Sequence, residues 1–238
     1  MLWISHRGVH DHHLENSKAA FDEACRLGFG CLETDLRVTA DGVIVLCHDR
    51  DLFRLFGQKK ILVDQSNWDD IKCLTNKDGQ GILRLTDFLE FYESRSVSYI
   101  FDIKPETAYQ VLENLAKDTR LPGLLTKVRF LFWHQDHQKA FQKELKAISI
   151  LASESKCWQA GLFALLGLGR FVIEPNVTYS LPPRFLGLSL FNPKMVSRFH
   201  RRNAKLLAYL PGSRDDINEA SAAGFDEILS DFLHEIKI

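Results

Sequence analysis

The chain has 238 residues, of which 45% are hydrophobic and 26% are charged, and its formal net charge is −1. These proportions are those of a folded globular protein, and they exclude the disordered and fibrous classes. A net charge this close to zero supplies no overall field that would attract nucleic acid, so we expect no nucleic-acid partner.

Apolar runs typical of buried strands alternate along the chain with amphipathic segments typical of helices. In chain order, the strand candidates are LWISHRG, CLETDLRV, VSYIFDIK, KVRFLFWH, AISILAS, RFVIEP, FLGLSLF, KLLAYLP and DEILSDF. The helix candidates are ENSKAAFDEACRLG, LTDFLEFYESR, TAYQVLENLAKDTR, DHQKAFQKELK, NPKMVSRFHRRN and SRDDINEASAAG. This alternation predicts an α/β fold with a parallel sheet covered by helices, in a single domain spanning residues 1–238.

Alternation alone fits both a closed barrel and an open doubly wound sheet. Neither GxGxxG nor GxxxxGK[ST] follows a strand candidate, which removes the usual nucleotide-binding signatures of the open class. Polar residues instead fall at the C-terminal ends of different strands, where a barrel collects its active site. These residues are His6, Glu33, Asp35, Lys104, His134, Glu154 and Asp231. We therefore predict a TIM (β/α)8 barrel, in which one of the two strand candidates flanking NVTYSLPPR is irregular.

The chain departs from a simple strand–helix unit after the second strand. Asp41 and Gly42 mark a turn, and the extended segment that follows ends at His48 and Asp49. Residues 49–84, approximately, then pass before the helical LTDFLEFYESR. We interpret this stretch as a short insertion that acts as a partial lid or contacts the substrate.

Cysteine usage and hydropathy bear on location. The five cysteines are irregularly spaced and include no CxxC pair, so we expect reduced thiols and a cytoplasmic protein. No signal peptide is recognised, and no integral membrane segment is expected.

The apolar residues 160–173 predict a buried helix followed by a strand, with peripheral membrane contact as the alternative. The basic residues 199–205 predict a solvated helix face, with a phosphate or lipid contact as the alternative.

Carboxylates form the first chemical signal. Glu33 and Asp35 are separated by one residue on a strand, so their side chains point to the same side. Such a pair is stable when one group is protonated or a cation lies between them, and Mg²⁺ or Ca²⁺ prefers oxygen ligands. The alternative is an exposed strand edge with each carboxylate paired to a lysine or arginine. Asp102 and Lys104 repeat the spacing and offer a third carboxylate and a cation for an anionic substrate.

Histidines form the second signal. His6 and His48 each follow an apolar strand, and imidazole transfers protons in both directions near neutral pH. Their convergence with two carboxylates and Arg7 indicates chemistry on a phosphate, which arginine neutralises in a bidentate manner. Either histidine alone would more often be structural.

Several short motifs occur together in a fixed order. They are HRG (6–8), ENS (15–17), Gly28 or Gly30 before Glu33 and Asp35, DG (41–42), HDxxLxR (48–54), DIK (102–104) and the closing GFDEILSDF. With these motifs the chain resembles the glycerophosphodiester phosphodiesterase family. The resemblance is dense in the first half of the chain and weaker afterwards.

The resemblance implies a TIM barrel that uses a divalent metal to hydrolyse a small-molecule glycerophosphodiester to sn-glycerol 3-phosphate and an alcohol. By position, His6 and His48 would be the general acid/base pair. Arg7 and Lys104 would contact the phosphate, and the metal would lie on three carboxylates, those of Glu33, Asp35 and Asp102. The nearby His10, His12 and His13 fall in a loop that we expect to bind no catalytic metal.

The chain also departs from the family pattern. Asp102 stands where the family usually has glutamate, and Tyr209, Trp133 and His134 stand where its substrate-side residues differ. These departures concern the leaving group more than the reaction. A lysophospholipase D-like enzyme of the same fold and a catalytically silent, ligand-binding barrel therefore remain alternatives, and the oligomeric state is not predicted.

Overall fold

A computed structural model describes residues 1–57, 60–146 and 148–231. The strands are β1 (Leu2–His6), β2 (Cys31–Val38), β3 (Ile44–Leu46), β4 (Leu83–Arg84), β5 (Ser98–Ile103), β6 (Val128–Phe132), β7 (Ser149–Ile150), β8 (Thr178–Leu181), β9 (Arg184–Phe185), β10 (Leu188–Ser189), β11 (Lys205–Tyr209) and β12 (Glu227–Ser230). The α-helices are α1 (Lys18–Arg26), α2 (Phe53–Phe56), α3 (Trp68–Ile71), α4 (Leu85–Tyr92), α5 (Ala108–Lys117), α6 (Leu121–Leu124), α7 (Gln135–Leu145), α8 (Glu154–Leu165), α9 (Pro193–His200) and α10 (Arg214–Ala223).

The chain forms two compact units. Among the described residues, one comprises Met1–Ser5 and residues 150–231, and the other comprises residues 6–57, 60–146 and 148–149. In the second unit, β2, β5 and β6 are parallel neighbours, and β3 and β4 extend the sheet in antiparallel order. The register between β2 and β5 places Asp35 directly beside Asp102. Two of the predicted metal ligands are therefore brought together by strand pairing alone.

The ENS segment starts α1 as predicted. The Ser17 hydroxyl caps the helix by accepting a hydrogen bond from the backbone N–H of Ala20. Gly8 packs against the same residue so closely that an added Cβ would lie 2.6 Å from the Ala20 Cβ, and its φ is +78°. Only glycine fits this position, which brings the loop after β1 back against α1.

The predicted insertion has a small core of its own. Val63 and Ile71 are buried together with Val45, Cys47 and Leu52. A bridge joins Asp51 to Leu62, and a 3₁₀ turn at Val63–Gln65 precedes α3. The insertion is thus an ordered, packed segment in its described residues.

The other unit contains four parallel strands in the order β8, β11, β12 and β1. Two strand predictions are wrong here. RFVIEP forms no strand, because its first two residues belong to a 3₁₀ turn at Gly169–Phe171, so the strand expected after the apolar helix is absent. FLGLSLF is not a single buried strand, because β9 and β10 fold into an antiparallel hairpin. The sheet strand of this region is β8, which lies inside NVTYSLPPR.

The cysteines and the helices bear on the predictions of reduced thiols and of no integral membrane segment. All five cysteines are free thiols, as predicted. In the part of the chain that the structure describes, no helix is both long and apolar enough to cross a bilayer.

Candidate active site

Three buried carboxylates lie together on the neighbouring strands β2 and β5. Glu33, Asp35 and Asp102 each offer a ligand oxygen, and these oxygens lie within 4.8 Å of one another. In the described ranges, this is the one group of three or more histidine, cysteine or acidic side chains arranged in this way. The three carboxylates predicted as ligands are therefore brought together. They do not lie on an exposed strand edge, since all three side chains are at least nine-tenths buried, although Asp35 and Asp102 do pair with basic side chains as that alternative expected.

Two cations lie against this group. The Lys104 Nζ is 2.8 Å from Asp35 Oδ1 and 2.6 Å from Asp102 Oδ2. The Arg7 Nε is 3.1 Å from Asp35 Oδ2, while its backbone N–H donates to Glu33 Oε2 at 3.1 Å. Arg7 holds this position with a left-handed backbone, at φ +55°.

The ionisation of the group follows from these contacts. Burial raises the pKa of Glu33 well above its usual value, and the charges of Asp35 and Asp102 raise it further. Burial also opposes ionisation of Asp35, but the charges of Lys104 and Arg7 outweigh it and lower its pKa to about 2. Burial raises the pKa of Asp102, although Lys104 acts in the opposite direction.

This donor set fits a hard divalent cation. Burial and the repulsion between crowded carboxylates both raise the pKa of Glu33, and a cation between the three groups would offset both effects. Since the ligands are all oxygen, the group favours Mg²⁺, Ca²⁺ or Mn²⁺ over softer metals.

The first predicted histidine lies beside this group. His6 ends β1, is 8% exposed, and places its Nε2 4.0 Å from Glu33 Oε2. Its neighbour His10 packs edge-on against the His6 ring, with ring centroids 6.4 Å apart.

The second predicted histidine is held by a chain of ion pairs. His48 Nδ1 lies 2.8 Å from Asp49 Oδ1, and Arg54 Nε donates to the other Asp49 oxygen at 2.5 Å. Arg54 also donates two hydrogen bonds, at 2.7 and 2.8 Å, to the carboxylate of Glu15. Burial works against ionisation of Asp49, but the hydrogen bonds from Arg54 and His48 dominate and lower its pKa. Asp49 is thus a fixed anion that orients His48.

The backbone of His48 is fixed as well. The guanidinium of Arg37, which is only 6% exposed, donates from Nε and Nη2 to the His48 carbonyl oxygen at 3.0 and 2.7 Å. The His48 side chain is about one-third exposed. The backbone of His48 is therefore held by Arg37, while its side chain is accessible to a substrate.

Asn16 was quoted within a motif, yet its role was not predicted. Its amide donates to Asp35 Oδ2 at 2.9 Å, and its oxygen accepts from the Thr34 hydroxyl at 2.7 Å. Its φ is +55°, a conformation that asparagine tolerates better than most residues. Asn16 therefore fixes the orientation of the Asp35 carboxylate, as hydrogen bonds to metal-binding side chains generally do.

The two candidate residues after β6, Trp133 and His134, have different neighbours. The Trp133 indole N–H donates to Asp102 Oδ1 at 2.8 Å, and Lys104 Nζ lies 5.3 Å from the centre of the Trp133 ring. His134 instead packs against His137, with ring centroids 5.4 Å apart. Trp133 belongs to the site on this geometry, and half of its surface remains exposed.

The comparisons with known proteins agree with this arrangement. A sequence model of the glycerophosphoryl diester phosphodiesterase family matches residues 6–235. The chain belongs to this family. A "probable glycerophosphodiester phosphodiesterase 2" of Mycobacterium tuberculosis is 38% identical over 96% of this chain and 86% of its own length.

Solved structures show the same fold. The glycerophosphoryl diester phosphodiesterase domain of an uncharacterized M. tuberculosis protein superposes with a TM-score of 0.81 at 17% identity, covering 97% of this chain and 95% of that one. A phosphodiesterase of Oleispira antarctica, solved in complex with the product sn-glycerol-3-phosphate, has a TM-score of 0.73 at 19% identity, covering 100% and 95%. The predicted fold class, the α/β TIM barrel of this family, is confirmed by this similarity.

Proposed function

We propose that the protein hydrolyses glycerophosphodiesters to sn-glycerol 3-phosphate and an alcohol. The observation that carries the proposal is the buried group of Glu33, Asp35 and Asp102 beside His6, Arg7 and Lys104. In this proposal, a divalent cation on the three carboxylates, Mg²⁺ or Ca²⁺, supplies a positive charge that stabilises the negative charge developing around phosphorus.

His48 is the residue that we assign to proton transfer on the exposed side. Because Asp49 accepts from Nδ1, Nε2 is the ring atom left to take a proton from the attacking hydroxyl or to give one to the leaving alkoxide. His6, which lies against Glu33, is the partner of opposite proton state. One ring accepts a proton while the other donates one, so a single displacement leaves the proton states of the two histidines exchanged. A second step in the opposite direction, in which water opens a cyclic phosphate, restores them.

Arg7 and Lys104 bind the substrate phosphate in this proposal. Each already pairs with Asp35. A phosphate brought to the site would share these cations, and the planar guanidinium of Arg7 matches two of its oxygens. The absence of a nucleic-acid partner remains a prediction from the net charge. The cytoplasmic location remains a prediction from cysteine usage.

A panel of substrates tests the proposal. The protein is incubated with glycerophosphocholine, glycerophosphoethanolamine and lysophosphatidylcholine, and both glycerol 3-phosphate and free choline are measured. We expect glycerol 3-phosphate from the first two substrates, and none from a Glu33→Gln control. Choline from lysophosphatidylcholine alone would favour the lysophospholipase D-like alternative, and no product from any substrate would favour the silent barrel.

A further inference from the structure

The side chain of Glu15 lies between two arginines that serve different parts of the site. Its carboxylate is 8% exposed and accepts hydrogen bonds from Arg54 Nη1 and Nη2 at 2.8 and 2.7 Å. The Nη1 of Arg7 lies 3.4 Å from Glu15 Oε1, the same oxygen that Arg54 Nη2 contacts. One carboxylate is therefore shared by the arginine assigned to the substrate phosphate and the arginine that holds Asp49.

The backbone on both sides of Glu15 is fixed. The Asn16 N–H donates to the Arg7 carbonyl oxygen at 2.9 Å, and the Leu14 N–H donates to Gln80 Oε1 at 2.5 Å. The residue after Glu15 is thus tied to the residue that follows β1, and the residue before it is tied to the insertion. Because the backbone is held at both neighbours, the Glu15 side chain stays between the two arginines.

Glu15 is an anion within a series of alternating charges. Burial opposes its ionisation, but the hydrogen bonds from Arg54 and the charges of Arg7 and Arg54 outweigh burial and lower the pKa of Glu15. Each member of the series contacts the next, so a change at one end alters how the following pair shares its hydrogen bonds. We call this series the ion-pair chain, and its members in order are Arg7, Glu15, Arg54, Asp49 and His48.

We propose that Glu15 is a positioning residue that couples phosphate binding at Arg7 to proton transfer at His48. A substrate phosphate and Glu15 are both anions, and they compete for the guanidinium of Arg7. When phosphate takes Arg7, Glu15 pairs with Arg54 alone, and Arg54 draws less on Asp49. Asp49 then accepts more strongly from His48 Nδ1, which makes Nε2 a better proton acceptor. This coupling rests on the hydrolysis proposed above.

Glu15→Gln tests the coupling, because it keeps the shape of the side chain and removes its charge. Arg54 is then left with Asp49 as its one anionic partner, so His48 loses part of its hydrogen bond and turnover should fall roughly 10- to 100-fold.

Anion binding by Glu15→Gln should change in the opposite direction. Arg7 loses a competing anion, and the charge of Arg54 is less compensated, so both changes favour a bound phosphate. In calorimetry with Ca²⁺ present, sn-glycerol 3-phosphate should bind roughly five-fold more tightly than to the unmodified protein. A residue with a structural role alone would not lower turnover and raise this affinity together.

Arg54→Lys interrupts the ion-pair chain on the other side of Glu15. The Arg54 side chain is half exposed, so this variant should fold. An ammonium does not bridge two carboxylates as the planar guanidinium does, and turnover should fall here as well. Glu15 then pairs more fully with Arg7, so sn-glycerol 3-phosphate should bind no more tightly than to the unmodified protein. In the Asp49→Asn protein, adding Glu15→Gln should cost little further turnover, since both act through His48.

Nitrogen NMR of the His48 ring supplies a measurement that needs no turnover, and His48→Ala identifies its signals. A neutral ring held by Asp49 keeps its proton on Nδ1, so the shifts of its two nitrogens differ strongly. In Glu15→Gln these two shifts should move towards each other. Asp64→Asn is the matched control, because Asp64 accepts three hydrogen bonds from Arg50 within the insertion. This control should change neither turnover, anion binding nor the His48 shifts.

Three results for Glu15→Gln would overturn the coupling: unchanged turnover in an active protein, unchanged His48 shifts, or a parallel loss of turnover and of sn-glycerol 3-phosphate binding. The last result would assign Glu15 a structural role. Absence of hydrolysis by the unmodified protein would instead contradict the function proposed above. The anion affinity and the His48 shifts would then still decide whether Glu15 links Arg7 to His48.

Discussion

Trp133 and Asp102 are joined by a 2.8 Å hydrogen bond from the indole N–H to Oδ1, while the other oxygen of Asp102 accepts from Lys104. Each oxygen of Asp102 therefore has one donor, and the two donors together hold this side chain in one orientation next to Asp35.

Removal of the indole N–H should weaken metal binding. Trp133→Phe keeps an aromatic ring over Lys104 but removes the donor to Asp102 Oδ1, so we expect affinity for Mn²⁺ or Ca²⁺ to fall roughly 10-fold or more. Titration calorimetry measures this affinity. Trp158→Phe removes another indole N–H that donates to a carboxylate, Glu154, and should not change it. Equal affinities for Trp133→Phe and the unmodified protein would exclude the orienting role.

Substitution of His48 should separate catalysis from metal binding. His48→Ala removes the proposed proton-transfer group, so turnover should fall by about 10²–10⁴ while the metal affinity stays unchanged. The measurement is initial-rate kinetics beside calorimetry. A parallel loss of folding, seen by circular dichroism, would mean that the histidine is structural.

Asp49 should affect the rate through His48. Asp49→Asn keeps the shape but removes the charge that fixes the imidazole, so we expect a turnover loss of roughly 10- to 100-fold and a shifted pH profile. Asp64→Asn is the matched control, because Asp64 also pairs with an arginine, Arg50, within the insertion. Turnover of Asp49→Asn equal to that of this control would remove Asp49 from the account.

The raised pKa of Glu33 predicts a pH dependence of stability. In the metal-free native protein Glu33 keeps a proton that the unfolded chain releases above its usual pKa, roughly 4.3. The contribution of Glu33 to the free energy of unfolding therefore becomes less favourable as pH rises through this window up to the raised pKa. In EDTA, the stability of Glu33→Gln relative to the unmodified protein should rise over the same window. Urea unfolding at several pH values tests this, and a constant difference would contradict it.

Asn16 predicts a stability effect with two components. Asn16→Gly and Asn16→Ala both remove the bonds to Thr34 and Asp35, which costs roughly 1–3 kcal/mol for buried polar groups left unsatisfied. Alanine is also strained at φ +55°, whereas glycine is not. We therefore expect Asn16→Ala to be the less stable variant in denaturant titrations. The reverse order would indicate that the loop relaxes to a negative φ.

The local hydrophobic pattern of the sequence predicted some strands correctly. It failed where contacts between distant residues determine the secondary structure. The strands carrying Glu33 and Asp102 were predicted from CLETDLRV and VSYIFDIK, and the structure has a strand in each. The register that joins them follows from parallel pairing. β8 was not predicted because the polar residues Thr178 and Ser180 interrupt its apolar pattern. RFVIEP was wrongly predicted as a strand because it is apolar, although its first two residues belong to the 3₁₀ turn that begins at Gly169.

Ion pairs between residues far apart in the sequence were not predicted either. Arg54 and Glu15 lie 39 positions apart, so no local spacing indicates that they meet, although both were quoted within motifs. Trp133 was predicted only as a pocket-lining residue, because its hydrogen bond to Asp102 depends on the pairing of β5 with β6.

Metal dependence is tested by measuring glycerol 3-phosphate formation from glycerophosphocholine by EDTA-treated protein, before and after addition of Mg²⁺, Ca²⁺ or Mn²⁺. We expect no product in EDTA, restored turnover with at least one of these cations, and no restoration in Asp35→Asn. Turnover that EDTA leaves unchanged, or that Asp35→Asn retains, would contradict a metal-dependent reaction on Glu33, Asp35 and Asp102.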